Sequence, residues 1–305
     1  MDNHKNVQGH LFALTANIMW GLMAPIGKSA LQEFSAISVT TFRMIGAAAA
    51  FWLLSLFCKE EHVNHRDMLK IFFASLFALV FNQGVYIFGL SLTSPVDASI
   101  VTTTLPIVTM IVAAIYLKEP ITNKKVLGIF VGAMGALILI ISSQATDNGG
   151  GNIIGDLLCL LAQISFSIYL TVFKGLSQRY SAITINKWMF VYASICYIPF
   201  SYHDISTIQW NTISTISIIE VLYVVIGGSF IAYLCIMSAQ KILRPTIVSM
   251  YNYMQPIVAT IAAIIMGVGS FGWQKGIAIA LVFLGVYIVT QSKSRADFEK
   301  AGKEI

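Results

Sequence analysis

The chain is 305 residues long, 57% of them hydrophobic and only 11% charged, with a net charge of +5. A soluble domain carries about 25% charged residues, so this composition excludes one. The basic excess sits in short polar connectors, where it reads as a membrane-topology signal and implies no nucleic acid.

Apolar runs long enough to cross a bilayer recur along the whole length, and ten are read here. The first, 10–31, is too long for a signal-peptide core and holds Asn17, Trp20 and Pro25, so it is kept as a true span. The second, 38–57, carries Arg43, the one strong charge inside a span. The third, 68–92, contains Asn82, Gln83 and Tyr86, and the fourth, 95–117, contains Thr102, Thr103, Thr104 and Pro106. The fifth, 125–143, is rich in glycine. The sixth, 153–174, holds Gln163 and Tyr169; the seventh is 183–203; the eighth, 217–241, holds Ser229 and Tyr233. The ninth, 245–267, brings Tyr251, Asn252, Gln255 and Pro256, and the tenth is 273–291. Little remains outside them, so the expected class is an all-α polytopic membrane protein. The cysteines Cys58, Cys159, Cys196 and Cys235 show no metal or redox spacing and read as packing residues.

The second half repeats the first. Gly9, Leu11, Leu14, Ala16, Ile18, Lys28, Ser35, Ala36 and Ile37 recur at one constant offset as Gly155, Leu157, Leu160, Ala162, Ile164, Lys174, Ser181, Ala182 and Ile183. A later block, Pro95, Ser99, Pro106, Ile107, Val108, Ala113, Lys125 and Gly135, recurs at a slightly larger offset. There it reads Pro245, Ser249, Pro256, Ile257, Val258, Ala263, Lys275 and Gly285. Residues 1–147 and 148–305 are therefore expected to be two five-helix repeats. An odd number of spans per repeat makes the halves enter the membrane in opposite directions, as an inverted pair. Lysine and arginine cluster in alternate connectors, as at Lys59, Arg66 and Lys70, or Lys241 and Arg244. That bias places both termini in the cytoplasm of a multi-pass protein of the cell (inner or plasma) membrane.

Several motifs resemble one known family. Trp20-Gly21, Arg43, the stretch from Gly89 to Ser99, Leu105-Pro106, Lys118-Glu119 and the glycines from Gly128 to Gly135 are similar to those of EamA-type proteins of the drug/metabolite transporter superfamily. The resemblance spans both halves. It implies a ten-helix exporter or exchanger of small metabolites whose helices one, three, four, six, eight and nine line a central cavity. One departure is clear: where the first half has Glu119, the second has Gly269.

Polar groups inside a membrane usually face protein or a wet cavity. The substrate-site candidates at mid-depth are Asn17, Trp20, Asn82, Gln83, Tyr86, Thr103, Gln163, Tyr169, Tyr233, Tyr251, Asn252 and Gln255. Amides, hydroxyls and rings of this kind can hold a small solute, or can link helices to one another. The threonine run 102–104 can instead bond back to its own helix. Arg43 can attract an anionic group or clamp helices together, and the clamp is the favoured role. Pro106 and Pro256 remove helical hydrogen bonds at matched positions and are hinge candidates. Gly128, Gly132 and Ala136 mark a close helix approach, within the chain or at a homodimer seam. No carboxylate falls among the mid-depth candidates, which favours amino acids and related metabolites over cationic drugs. His4, His10, His62, His65 and His203 lie in tails, loops or span ends, so no metal, cofactor or catalytic group is expected. The partners are the small solute and the lipid bilayer.

Overall fold

The computed structural model describes residues 2–93, 98, 101–142, 152–265 and 272–293. Pro95, Asp97, Ser99, Gly269 and the basic tail after Lys293 lie outside the described residues, as does the side chain of Lys28. Among the described residues the regular structure is helical. A chain with this composition has little choice, because hydrocarbon offers no partner to an unpaired backbone group.

Ten rods follow one another among the described residues: α1 (Asp2–Ala30), α2 (Ala36–Ser55), α3 (His65–Leu92), α4 (Leu105–Tyr116) and α5 (Asn123–Ser142) make the first half. The second half holds α6 (Ile153–Arg179), α7 (Ala182–Ser206), α8 (Thr215–Ile242), α9 (245–265) and α10 (Trp273–Thr290). Six of them, α1, α2, α3, α6, α8 and α10, are long and apolar enough to cross a membrane. At 1.5 Å per residue the 20 residues of α5 and the 25 of α7 also reach across a core of about 30 Å. α1 begins earlier than the apolar pattern, because polar residues outside the hydrocarbon continue a helix without ending it.

Side-chain caps start the helices. Ser35 and Ser181, counterparts in the duplication, accept the N–H of Ser38 and of Thr184. Asn64 and Ser214 do the same at the heads of α3 and α8. Each such cap is worth about 1 kcal/mol.

Packing is reciprocal between the halves. α1 lies against α8 and α9, while α6 lies against α3 and α4; α2 pairs with α7, and α5 with α10. The α5–α10 seam shows the relation atom by atom. A methyl group on Gly128 would sit 2.8 Å from the carbonyl of Gly285, and one on Gly135 would sit 2.6 Å from that of Ala278. Gly128 and Ala278 are counterparts, as are Gly135 and Gly285, so each contact is the other's image. The glycine face is thus filled within the chain, which removes it as a seam for a second copy.

The connectors sort onto two faces. On one, Arg179 meets Asp67 at 2.7 Å, Lys125 meets Glu119 at 3.0 Å, and Lys174 Nζ donates to the carbonyl of Leu243 at 3.0 Å. Opposite, Glu33 accepts the N–H of Ser214 at 2.8 Å and Thr93 donates to Asp156 at 2.6 Å. The chain therefore runs back and forth between two ends.

Two features of the rods were not legible in the periodicity. α3 carries a π-helical stretch, Leu76–Gly84, and α8 carries another, Ile226–Ile231, at a corresponding place in the second half. A wider turn leaves carbonyls without their usual partner, and neighbouring helices supply donors. Ser165, Tyr233 and Tyr197 donate to the carbonyls of Phe77, Ala78 and Val80 at 2.7, 2.8 and 2.9 Å. In α8, Trp20 Nε1 donates to Gly228 at 2.9 Å.

Candidate functional site

A cavity of about 530 Å³, its open mouth included, lies where the two halves meet. α1 contributes Trp20 and Met23, α3 contributes Asn82, Gln83 and Tyr86, and α6 contributes Gln163 and Phe166. Thr102, just before α4, and Asn252 and Gln255 of α9 complete the wall.

Two pairs of repeat counterparts touch at this cavity. The Trp20 and Phe166 rings meet edge to face with centroids 5.7 Å apart, and Asn252 Nδ2 donates to the carbonyl of Thr102 at 2.8 Å. Equivalent residues meet only on a symmetry axis, so the axis relating the halves passes through the cavity. The sequence brings α4 and α9 to this point through their prolines. Thr103 and Thr104 form a turn, after which α4 starts with Pro106 in its first turn, and α9 tightens to a 3-10 turn at Tyr251–Tyr253 just before Pro256. Pro106 has no N–H for the Thr102 carbonyl four residues back, and Asn252 takes that carbonyl instead.

The amides form two chains. On the α3 side Arg43 Nη2 donates to Gln83 Oε1 at 2.7 Å, Gln83 Nε2 to Asn82 Oδ1 at 2.7 Å, and Asn82 Nδ2 to the carbonyl of Ala162 at 2.8 Å. On the α9 side Gln255 Nε2 donates to Asn252 Oδ1 at 2.6 Å and to Asn17 Oδ1 at 3.0 Å. Gln163, on the wall, forms no hydrogen bond among the described residues.

Arg43 lies behind the wall, fully buried. Its Nε donates to Ser229 Oγ at 2.9 Å, its Nη2 holds Gln83, and its Nη1 has no partner among the described residues. It ties α2 to the π-helical stretches of α3 and α8 together, through side chains.

Seven of the twelve candidates line the cavity: Trp20, Asn82, Gln83, Tyr86, Gln163, Asn252 and Gln255. Asn17 stands one hydrogen bond behind them. The remaining four are placed elsewhere. Tyr169 is buried against Phe166 with its hydroxyl toward Met237, and Tyr233 caps the α3 carbonyl of Ala78. Tyr251 bonds His10 at 2.8 Å, tying the start of α1 to α9. Thr103 is buried in the turn before α4, off the wall, and Thr104 bonds back to Val101. Met23 and Phe166 are wall residues that a search for polar groups could not pick out. The duplication could have found Phe166, because it is the counterpart of Trp20. Among the described residues no three of histidine, cysteine, aspartate and glutamate gather closely enough to hold a metal.

The model of the EamA-like transporter family matches residues 7–141 and again 153–291. An uncharacterized transporter of Archaeoglobus fulgidus is 26% identical over 285 residues, covering 93% of this chain and 98% of its own. The uncharacterized transporter YetK of Bacillus subtilis is 20% identical over 304 residues, covering 98% and 92%. A WAT1-related protein of Arabidopsis thaliana is 25% identical over 259 residues, covering 74% and 69%. A solved crystal structure shares the fold at a TM-score of 0.75 and 16% identity, over 93% of this chain and 98% of its own.

Proposed function

This chain belongs to the EamA-like transporter family, and we propose that it is a secondary carrier that moves small metabolites by alternating access, as an exporter or exchanger. The two halves, 1–147 and 148–305, act as an inverted pair in the cell membrane with both termini cytoplasmic. The observation that carries this reading is the cavity on the axis between the halves, where Trp20 meets Phe166 and Thr102 meets Asn252. A site on the axis keeps its contacts when the halves exchange conformations, which is what a carrier with two states of similar energy needs. Amino acids and related compounds fit the wall best: it offers amides and rings, and among the described residues no carboxylate to hold a cationic drug. Gln83, Tyr86, Asn252 and Gln255 are the proposed substrate contacts, with Pro106 and Pro256 as hinges.

The test is counterflow in proteoliposomes loaded with a labelled amino acid pool. Leucine at Gln83, Asn252 or Gln255, or phenylalanine at Tyr86, should lower flux well beyond any loss of folded protein. Normal transport by all four variants would reject the site. No aspartate, glutamate or histidine lines the cavity among the described residues, so flux should follow the substrate gradient alone. Uphill transport driven by an imposed pH gradient would reject that part.

A further inference from the structure

The two hydrogen-bonded amide chains at the cavity engage every amide oxygen they contain but one, and that one is on the α9 side. A guanidinium carries donors only, so the Gln83 atom that meets Arg43 Nη2 has to be the amide oxygen. Gln83 Nε2 then faces Asn82, whose oxygen accepts it. Asn82 Nδ2 is thereby turned to the carbonyl of Ala162, which only accepts. Each amide in the row is held in one orientation from both ends. Both amide oxygens of the row are engaged, so its amides have only hydrogens left to offer, and the Arg43 charge stands behind.

The α9 side is fixed in the same manner with the opposite result. Asn17 Nδ2 donates to the carbonyl of Ala13 and Asn252 Nδ2 to that of Thr102, both at 2.8 Å, so each turns its oxygen toward Gln255. Gln255 Nε2 uses both hydrogens on those oxygens. Its own Oε1 is the one amide oxygen of the two chains left open to a solute, beside the second hydrogen of Asn252 Nδ2. Gln163, 6% exposed and on the wall, adds an amide with both functions still open.

We propose that the cavity binds a solute with an acceptor group, a carboxylate, at one end and a donor group, an amine, at the other. The carboxylate end lies against Asn82 and Gln83, and the amine end lies against Gln255 Oε1. This rests on the reading of the cavity as the substrate site. Arg43 is a positioning residue, which acts through Gln83 to set the polarity of that wall without touching the solute.

The experiment measures binding of three probes with one branched skeleton to the purified protein by calorimetry: leucine, 4-methylpentanoate and 3-methylbutylamine. Leucine should bind tightest and the amine weakest. Gln255→Glu puts a charged acceptor on the α9 side, and should strengthen leucine and the amine about tenfold relative to the acid. Arg43→Lys keeps the charge but loses the planar fork. It should weaken leucine and the acid relative to the amine, whereas a merely structural role would weaken all three together. Binding by none of the probes, an amine as tight as the acid, or parallel changes in both variants would overturn the proposal. The transport test of the cavity residues reads separately: flux that depends on them without the charge order rejects the polarity and leaves the site standing.

Discussion

Asn252 donates through Nδ2 to the carbonyl of Thr102, its own counterpart in the duplicated sequence, at 2.8 Å. The bond joins three things: the missing N–H of Pro106, the open carbonyl it leaves, and the amide that closes it from the other half. Asn252→Leu should therefore remove the bond this carbonyl receives from the other half and destabilise by about 1–3 kcal/mol. Pro106→Ala restores a helical donor for the same carbonyl, so the double variant should recover part of that loss. Thermal unfolding in detergent measures the cycle, and strictly additive losses would refute the coupling.

Arg43 holds two helices by different atoms, Ser229 through Nε and Gln83 through Nη2. Arg43→Met should lower stability by about 1.5–3 kcal/mol for each charge-assisted bond lost. Ser229→Ala removes one of them and should have the smaller effect. A thermal unfolding temperature unchanged in Arg43→Met would show that the clamp contributes nothing.

The α5–α10 seam has no room for a side chain. A methyl group on Gly285 would lie 2.5 Å from the backbone nitrogen of Gly132. Gly285→Ala should then force the helices apart and destabilise by about 1–3 kcal/mol. Alanine at Gly175, which meets nothing within 4 Å, is the control and should be near neutral. Equal melting temperatures for the two would contradict the packing.

Two carboxylates outside the spans link connectors to helix starts. The Ser214 N–H holds the Glu33 carboxyl below its ordinary range. Burial alone would push Glu61 up, but the Ser181 N–H, with the Thr184 and Ser181 hydroxyls, brings it below its ordinary range. A lowered folded-state pKa contributes stability above the unfolded value and loses it as pH falls through the folded one. Melting temperature should thus drop on acidification below about pH 4, and Glu33→Gln with Glu61→Gln should flatten that part of the profile. An unchanged profile in the double variant would show that other groups set the acid limit.

Composition and periodicity by themselves determined that this chain is helical and membrane-spanning, because hydrocarbon tolerates few other backbones. Pro95, Pro106 and Ser99 with their later copies made the duplication legible, since polar and proline matches do not arise from apolar bias alone. Seven cavity residues were also readable, because an amide in mid-membrane such as Gln163 or Asn252 must face something polar. Only the tertiary structure decided the rest. Tyr233 and Tyr169 have the same chemistry as Tyr86 but sit behind the wall, a matter of which way each helix is rotated in its bundle. The π-helical stretches of α3 and α8 depend on donors from other helices, Tyr197, Ser165 and Trp20 among them, and no local sequence encodes those. The polarity of the cavity is the least local property of all. It follows from which acceptor or donor stands at each end of the Arg43–Gln83–Asn82 and Asn17–Gln255–Asn252 chains, and those ends are brought together only when the helices pack.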